Sequence, residues 1–198
     1  QAVGDYILAA RNGGNDPLVI ARQTSLSPGI SVNTAVAFMV EGDVLEFTAK
    51  PNTLLINGKP GELKAQTLPK GGTIKLNRTN DVEVYWKDKK FGARVIMLSN
   101  GHLDIGAVNL GGPAVTGVLG NQNGNAKDDM QIRNGRVLQF PPSATELAEF
   151  GDSWRAGKNV FSTAHPAAPA KSDELVAGVK LSNAERAEGE QACKAGGV

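Results

Sequence analysis

The chain has 198 residues, 40% hydrophobic and 21% charged, with 24 glycines and 10 prolines, which fits one globular core built from many short elements better than a helical bundle. With 21 Lys plus Arg against 20 Asp plus Glu, there is no global field to attract nucleic acid or an anionic membrane. The one cysteine, Cys193, excludes an internal disulfide and a cysteine-rich zinc site, and no apolar run reaches the ~20 residues that span a bilayer. Gln1 is not an initiator and no charged-then-apolar leader follows it, so the sequence reads as a processed chain or a fragment.

From Asp5 onward, short runs rich in Val, Ile, Leu and Phe recur between Gly, Asn and Pro: DYILAA, PLVIARQ, NTAVAFMV, DVLEFTA and TLLING. Each predicts a strand, at the ~8 to 12-residue spacing of an all-β domain. The series continues through GTIKLN, DVEVYWKD, ARVIML and LDIGAVNL. Val82, Val84 and Trp86 alternate with Glu83 and Tyr85, as in a half-buried antiparallel strand. Asn57-Gly58 and Asn100-Gly101 carry the signal of tight hairpins. Asp16-Pro17 reads as a turn, and the basic KDKKFGAR as a solvated hairpin loop.

Beyond Phe140 the punctuation changes. Ser143 followed by Glu146 spells a capping box for a short helix that Gly151 ends, with Phe150 and Trp154 placed to pin it to the β body. The body, residues 1–160, gives way to an Ala/Pro linker over 161–180. A second capping box, Ser182 with Glu185, opens a helix within 181–198 whose apolar stripe of alanines is too thin to fold alone. The segment after about Ser162 is expected to move freely or to dock on another chain. The fold class is mainly β: a twisted antiparallel β-sandwich with one or two short flanking helices and a C-terminal helical appendage.

The stretch from Gly117 to Asp129, GVLGNQNGNAKDD, is spelled like neither strand nor helix. Asn121, Asn123 and Asn125 stand at alternate positions, from which the side chains of a curling loop project to one side. Their amide carbonyls are hard, neutral donors of the kind calcium takes, and Asp128 and Asp129 supply two negative charges. Gly124 lets the chain curl without a Cβ clash. The spacing departs from an EF-hand, which needs an acidic first ligand and a glutamate where Ile132 stands. An ordinary polar turn accounts for the same residues, because Asn, Gly and Asp dominate turns on conformational grounds.

TGVLGNQNGNAKDD, followed after a spacer by FGDSWR, resembles the von Willebrand factor type D domain. That family's signature is a Gly-Leu-Cys-Gly-Asn-x-Asn-Gly core, an Asp pair and a Phe-Gly-x-Ser-Trp element. Upstream, VGDYILA, VIARQTS, NTAVAF and INGKP look like its early strands in order, so the resemblance covers roughly residues 1–160. The tail from Leu181 looks like the start of the helical module that often follows such a domain. The resemblance implies a structural calcium ion held by Asn121, Asn123, Asn125, Asp128 and Asp129, through side-chain or backbone oxygens. Leu119 replaces the motif cysteine, as in a bacterial-like member.

The family's opening strand, with the Gly-Asp-Pro-His aspartate that commonly completes the calcium shell, has no counterpart. Either the recorded sequence begins inside the domain, or another chain or a cleaved fragment supplies that strand. In the second case backbone groups beside Asp5 to Ala10 are expected to lie open and to recruit an extended segment, joining copies by strand addition.

Other residues offer less. A triad of Ser99, His102 and Asp104 would have to share one turn, without the spelling of a nucleophile elbow, and His165 lies in the linker. Asn77 opens a glycosylation sequon that matters only in a secreted eukaryotic protein. The expected function is a non-catalytic, calcium-stabilised adhesion or assembly module, extracellular or at the cell surface. Its partners are other protein chains, by self-association or through an extracellular protein, with no nucleic acid and no membrane span. The competing readings are a self-processing or hydrolytic module, and a lipid- or carbohydrate-binding module, which requires an apolar or aromatic-lined groove.

Overall fold

A computed structural model describes residues 3–27, 29–112, 114–157 and 160–162. Strands β1 (Gly4–Arg11), β2 (Asp16–Ser27), β3 (Ile30–Val40), β4 (Asp43–Ala49), β5 (Asn52–Ile56) and β6 (Lys59–Gly61) make one antiparallel sheet in chain order. Strands β7 (Gln66–Thr67), β8 (Thr73–Arg78), β9 (Asp81–Tyr85), β10 (Phe91–Met97) and β11 (Leu103–Asn109) make the second, also as a meander. Helix α1 (Ala144–Ser153) lies on the flank. The mainly β architecture and the flanking helix are as expected. The linker and C-terminal helix expected over 161–180 and 181–198 lie, apart from Phe161 and Ser162, outside the described residues.

The two sheets bury their facing sides against each other. From the first come Val36, Phe38, Leu45, Phe47 and Leu54, and from the second Ile74, Val82, Val84, Trp86 and Val95. Phe38 and Phe47 pack with ring centroids 5.5 Å apart, and Trp86 meets Phe91 edge-on at 4.8 Å. The strict alternation of β9 follows from its place: Val82 and Val84 point inward, while Glu83 and Tyr85 face the outer side of the sheet, which is half open.

The first sheet is buried on both faces along β1, β2 and β3. Its outer face carries Ile7, Ala10, Ile20, Ala35 and Ala37, covered by Trp154 and Phe161 with Phe150 and Val160 at the margin. This explains the near-continuous apolar runs YILAA, LVIA and AVAF, because a strand covered on two sides has no polar face to alternate with. Several polar groups on that face are paired, while Glu46 Oε1 has no hydrogen-bond partner among the described residues. Arg22 bonds Asp5 through Nε and Nη2 at 2.8 and 3.0 Å, Phe161 lies over the guanidinium at 4.4 Å, and Glu46 accepts the Ser162 amide at 2.9 Å.

Three local readings change. Asp16-Pro17 begins β2 instead of turning the chain, with Asp16 opposite Arg11 and Pro17 opposite Ala10. The ladder from β2 to β3 starts only at Val19, so the missing proline N–H interrupts no pair of that ladder. Helix α1 has the full Ser143/Glu146 capping box but runs through Gly151 to Ser153, with Trp154 as its C-cap. Asn57-Gly58 forms the two-residue hairpin, with φ 53 and 76, whereas Asn100-Gly101 sits in a longer loop closed by the Leu98 amide on the His102 carbonyl. Among the described residues no helix is long and apolar enough to cross a membrane.

Candidate metal centre

The two halves of the quoted motif meet on the free edge of β1. The Ala10 amide and carbonyl exchange hydrogen bonds with Thr116 at 2.8 Å each, and the amides of Val118 and Leu119 donate to the carbonyls of Ile7 and Leu8. At the other end the Ile7 amide donates to the Trp154 carbonyl, and the Ala156 amide to that of Asp5, each at 2.8 Å. The open row of backbone groups expected beside Asp5 to Ala10 is therefore closed by the chain itself. Gly117 permits the approach, since a Cβ there would stand 2.3 Å from the Leu8 carbonyl oxygen.

The chain leaves β1 at Gly120 and enters the loop. Gly120 has φ 78, and a Cβ on it would lie 2.4 Å from Asp129 Oδ1, so the neck of the loop admits only glycine. Asp129 Oδ1 accepts the Asn121 amide at 3.1 Å and ties the two ends together. Gln122, at φ 55, sends its Nε2 to the Ala107 carbonyl on β11 at 3.1 Å and moors the loop to the second sheet.

Inside the loop each asparagine holds the backbone two residues on. Asn121 Oδ1 accepts the Asn123 amide at 3.1 Å, Asn123 Oδ1 accepts that of Asn125 at 2.6 Å, and Asn125 Oδ1 caps a 3-10 turn over Ala126–Asp128 through the Lys127 amide. An amide oxygen has two lone pairs, so each of the three keeps one free of these bonds for a cation. Asn123 Nδ2 donates to Asp128 Oδ2 at 3.0 Å. Asp128 Oδ1 is shielded from solvent and has no hydrogen-bond partner among the described residues. The amides of Asn121 and then Asn123 hold the Asp128 carboxyl below the usual aspartate range, so it stays ionised.

The structure thus links Asn121, Asn123, Asn125 and Asp128 in one hydrogen-bonded loop and sets Asp129 at its neck. Among the described residues no three His, Cys, Asp or Glu side chains gather as a metal cluster, so a cation here would depend on amide oxygens. The set fits calcium: hard oxygens, two carboxylates, and one shielded carboxylate oxygen without a hydrogen-bond partner among the described residues. Sequence reasoning missed Gln122 and Gly117, whose roles depend on β11 and β1. Gly120 lay in the quoted motif, but its reason, the carboxylate of Asp129, did not.

Comparison of the sequence with models of protein families gives no match, and comparison with curated proteins gives none.

Proposed function

We propose that the chain is a non-catalytic module of the von Willebrand factor type D kind, stabilised by one calcium ion in the loop from Asn121 to Asp129 and serving adhesion or assembly with other protein chains outside the cell. The observation that carries the reading is the shielded Asp128 Oδ1, without a hydrogen-bond partner among the described residues, in a loop where three asparagine carbonyls each hold a backbone amide. Calcium stabilises such a loop by neutralising both carboxylates and by taking the lone pairs that the backbone leaves free. With two carboxylates and otherwise neutral donors, such a site is expected to bind calcium at about 10⁻⁴ to 10⁻³ M, the range of extracellular modules. The closed edge of β1 argues against spontaneous strand addition there, so partners would use another surface or displace the cover.

Titration calorimetry with calcium tests the reading, together with a thermal scan with and without chelator. One equivalent of calcium should bind, and saturation at 100 times Kd should contribute about 2.7 kcal/mol of stability, seen as a higher melting temperature. Asp128→Asn should abolish the heat of binding while leaving the calcium-free melting temperature nearly unchanged. No calcium binding in the wild type up to several millimolar would overturn the assignment.

A further inference from the structure

The outer face of the second sheet carries a groove of about 230 Å³ across β9, β10 and β11. Two cross-strand rows bound it: Tyr85, Gly92 and Val108 in one, Glu83, Arg94 and Gly106 in the other. Each row contains a glycine where a strand ordinarily carries a side chain. A Cβ on Gly92 would sit 3.0 Å from Tyr85 Cε1, so the tyrosine ring lies against bare backbone. A Cβ on Gly106 would meet nothing within 4 Å, so the trough is open at that point. The result is one bank of ring and methyl groups, from Tyr85 and Val108, facing one polar bank.

The polar bank is fixed in advance. Glu83 accepts Asn77 Nδ2 at 2.8 Å on Oε1, and the Tyr85 hydroxyl at 2.8 Å and Lys75 Nζ at 3.1 Å on Oε2. Arg94 binds Asp81 through Nε at 2.8 Å and Nη2 at 2.6 Å, bonds that do not use Nη1, and its side chain is half exposed. Each charge therefore has its counter-charge within the sheet: Lys75 for Glu83 and Asp81 for Arg94. An ionic ligand would have to break one of these pairs, and an acyl chain would strip water from the exposed guanidinium without replacing its hydrogen bonds. What fits is a small ring that is apolar on one face and hydroxylated on its rim, without net charge.

We propose that this groove binds a neutral saccharide ring, with its C–H face on Tyr85 and Val108 and its hydroxyls toward Arg94 and Glu83. The site is independent of the calcium reading. Because Tyr85, Glu83 and Arg94 are already held, little side-chain freedom is lost on binding, as a shallow site requires to bind at all.

Saturation-transfer NMR on the whole chain, with the methyl glycosides of glucose, galactose and mannose as probes, tests the proposal. At least one glycoside should receive saturation on its ring protons, and Tyr85→Ala should reduce the transfer to baseline. Gly106→Val fills the trough with a residue that strands favour, so it should also abolish transfer while the melting temperature holds or rises. Glucuronate should give a weaker signal than the neutral sugars. Absence of transfer to all three glycosides, undiminished transfer in folded Gly106→Val, or stronger transfer to glucuronate would each overturn it.

Discussion

At Asp128 and Asp129, two adjacent carboxylates have different tasks. Asp129 spends an oxygen on the Asn121 amide and holds the neck, whereas Asp128 keeps one shielded oxygen without a hydrogen-bond partner among the described residues. Since the Asp128 carboxyl is held below its usual range, first by Asn121, its stabilising contribution is fully present above the unfolded aspartate pKa of about 3.9 and is lost as pH falls through the lower folded value. Calcium affinity should therefore be flat between pH 7 and 5 and drop only below about pH 4. A drop centred near pH 6 in a calorimetric series would exclude Asp128 as the controlling group. A second buried carboxylate carries more weight for the fold. Asp5 and Arg22 are almost wholly enclosed, so Asp5→Ala removes the counter-charge of a buried guanidinium and should destabilise by about 3–5 kcal/mol, read as a lower denaturant midpoint. The alternating asparagines were legible because their spacing is local. Asp5 and Arg22 were not, since what pairs them is the cross-strand register of β1 and β2.

Strands and helix were legible to the extent that each responds to its own sequence. The alternation of β9 gave both its conformation and its inward face, and the capping box fixed the start of α1. The ends failed where neighbours decide: β2 and β3 extend well past their apolar runs because they pair with each other as a ribbon down to Ser27 and Ile30. The short β6 and β7 exist only as partners of β5 and β8. Helix α1 buries no residue of its own, so its anchor is the C-cap. Trp154 is 1% exposed and donates Nε1 to the Gln131 carbonyl at 2.9 Å, while its own carbonyl takes the Ile7 amide. Trp154→Ala should cost about 3–5 kcal/mol, whereas Ser143→Ala should cost only about 1 kcal/mol, because a helix that buries little can fray locally. Equal losses in urea melts would mean that α1 itself, and not its C-cap, holds the outer face of the first sheet.

Over the whole molecule, the arrangement of edges decides whether copies join. Strand β6 is short and carries Pro60, and β7 has only two residues, so neither offers a useful template. On β11 the carbonyls of Leu103 and Ala107 are taken by Asn33 and Gln122. Strand β1 is eight residues long with an apolar run from Tyr6 to Ala10, the kind of edge that recruits other chains, and among the described residues it is covered by the segments at 116–119 and 154–156. The first of these leads directly into the loop from Asn121 to Asp129, so the order of that loop and the cover of β1 are mechanically joined. Wild-type protein should accordingly be monomeric with respect to this edge. Gly117→Val puts a branched side chain where even a Cβ would stand 2.3 Å from the Leu8 carbonyl oxygen, and should lift the 116–119 segment off the strand. The Ala10 amide should then exchange with solvent much faster, and light scattering should report association that grows with protein concentration. A variant that loses Ala10 protection yet stays monomeric at high concentration would mean that the uncovered edge is not what restrains self-association.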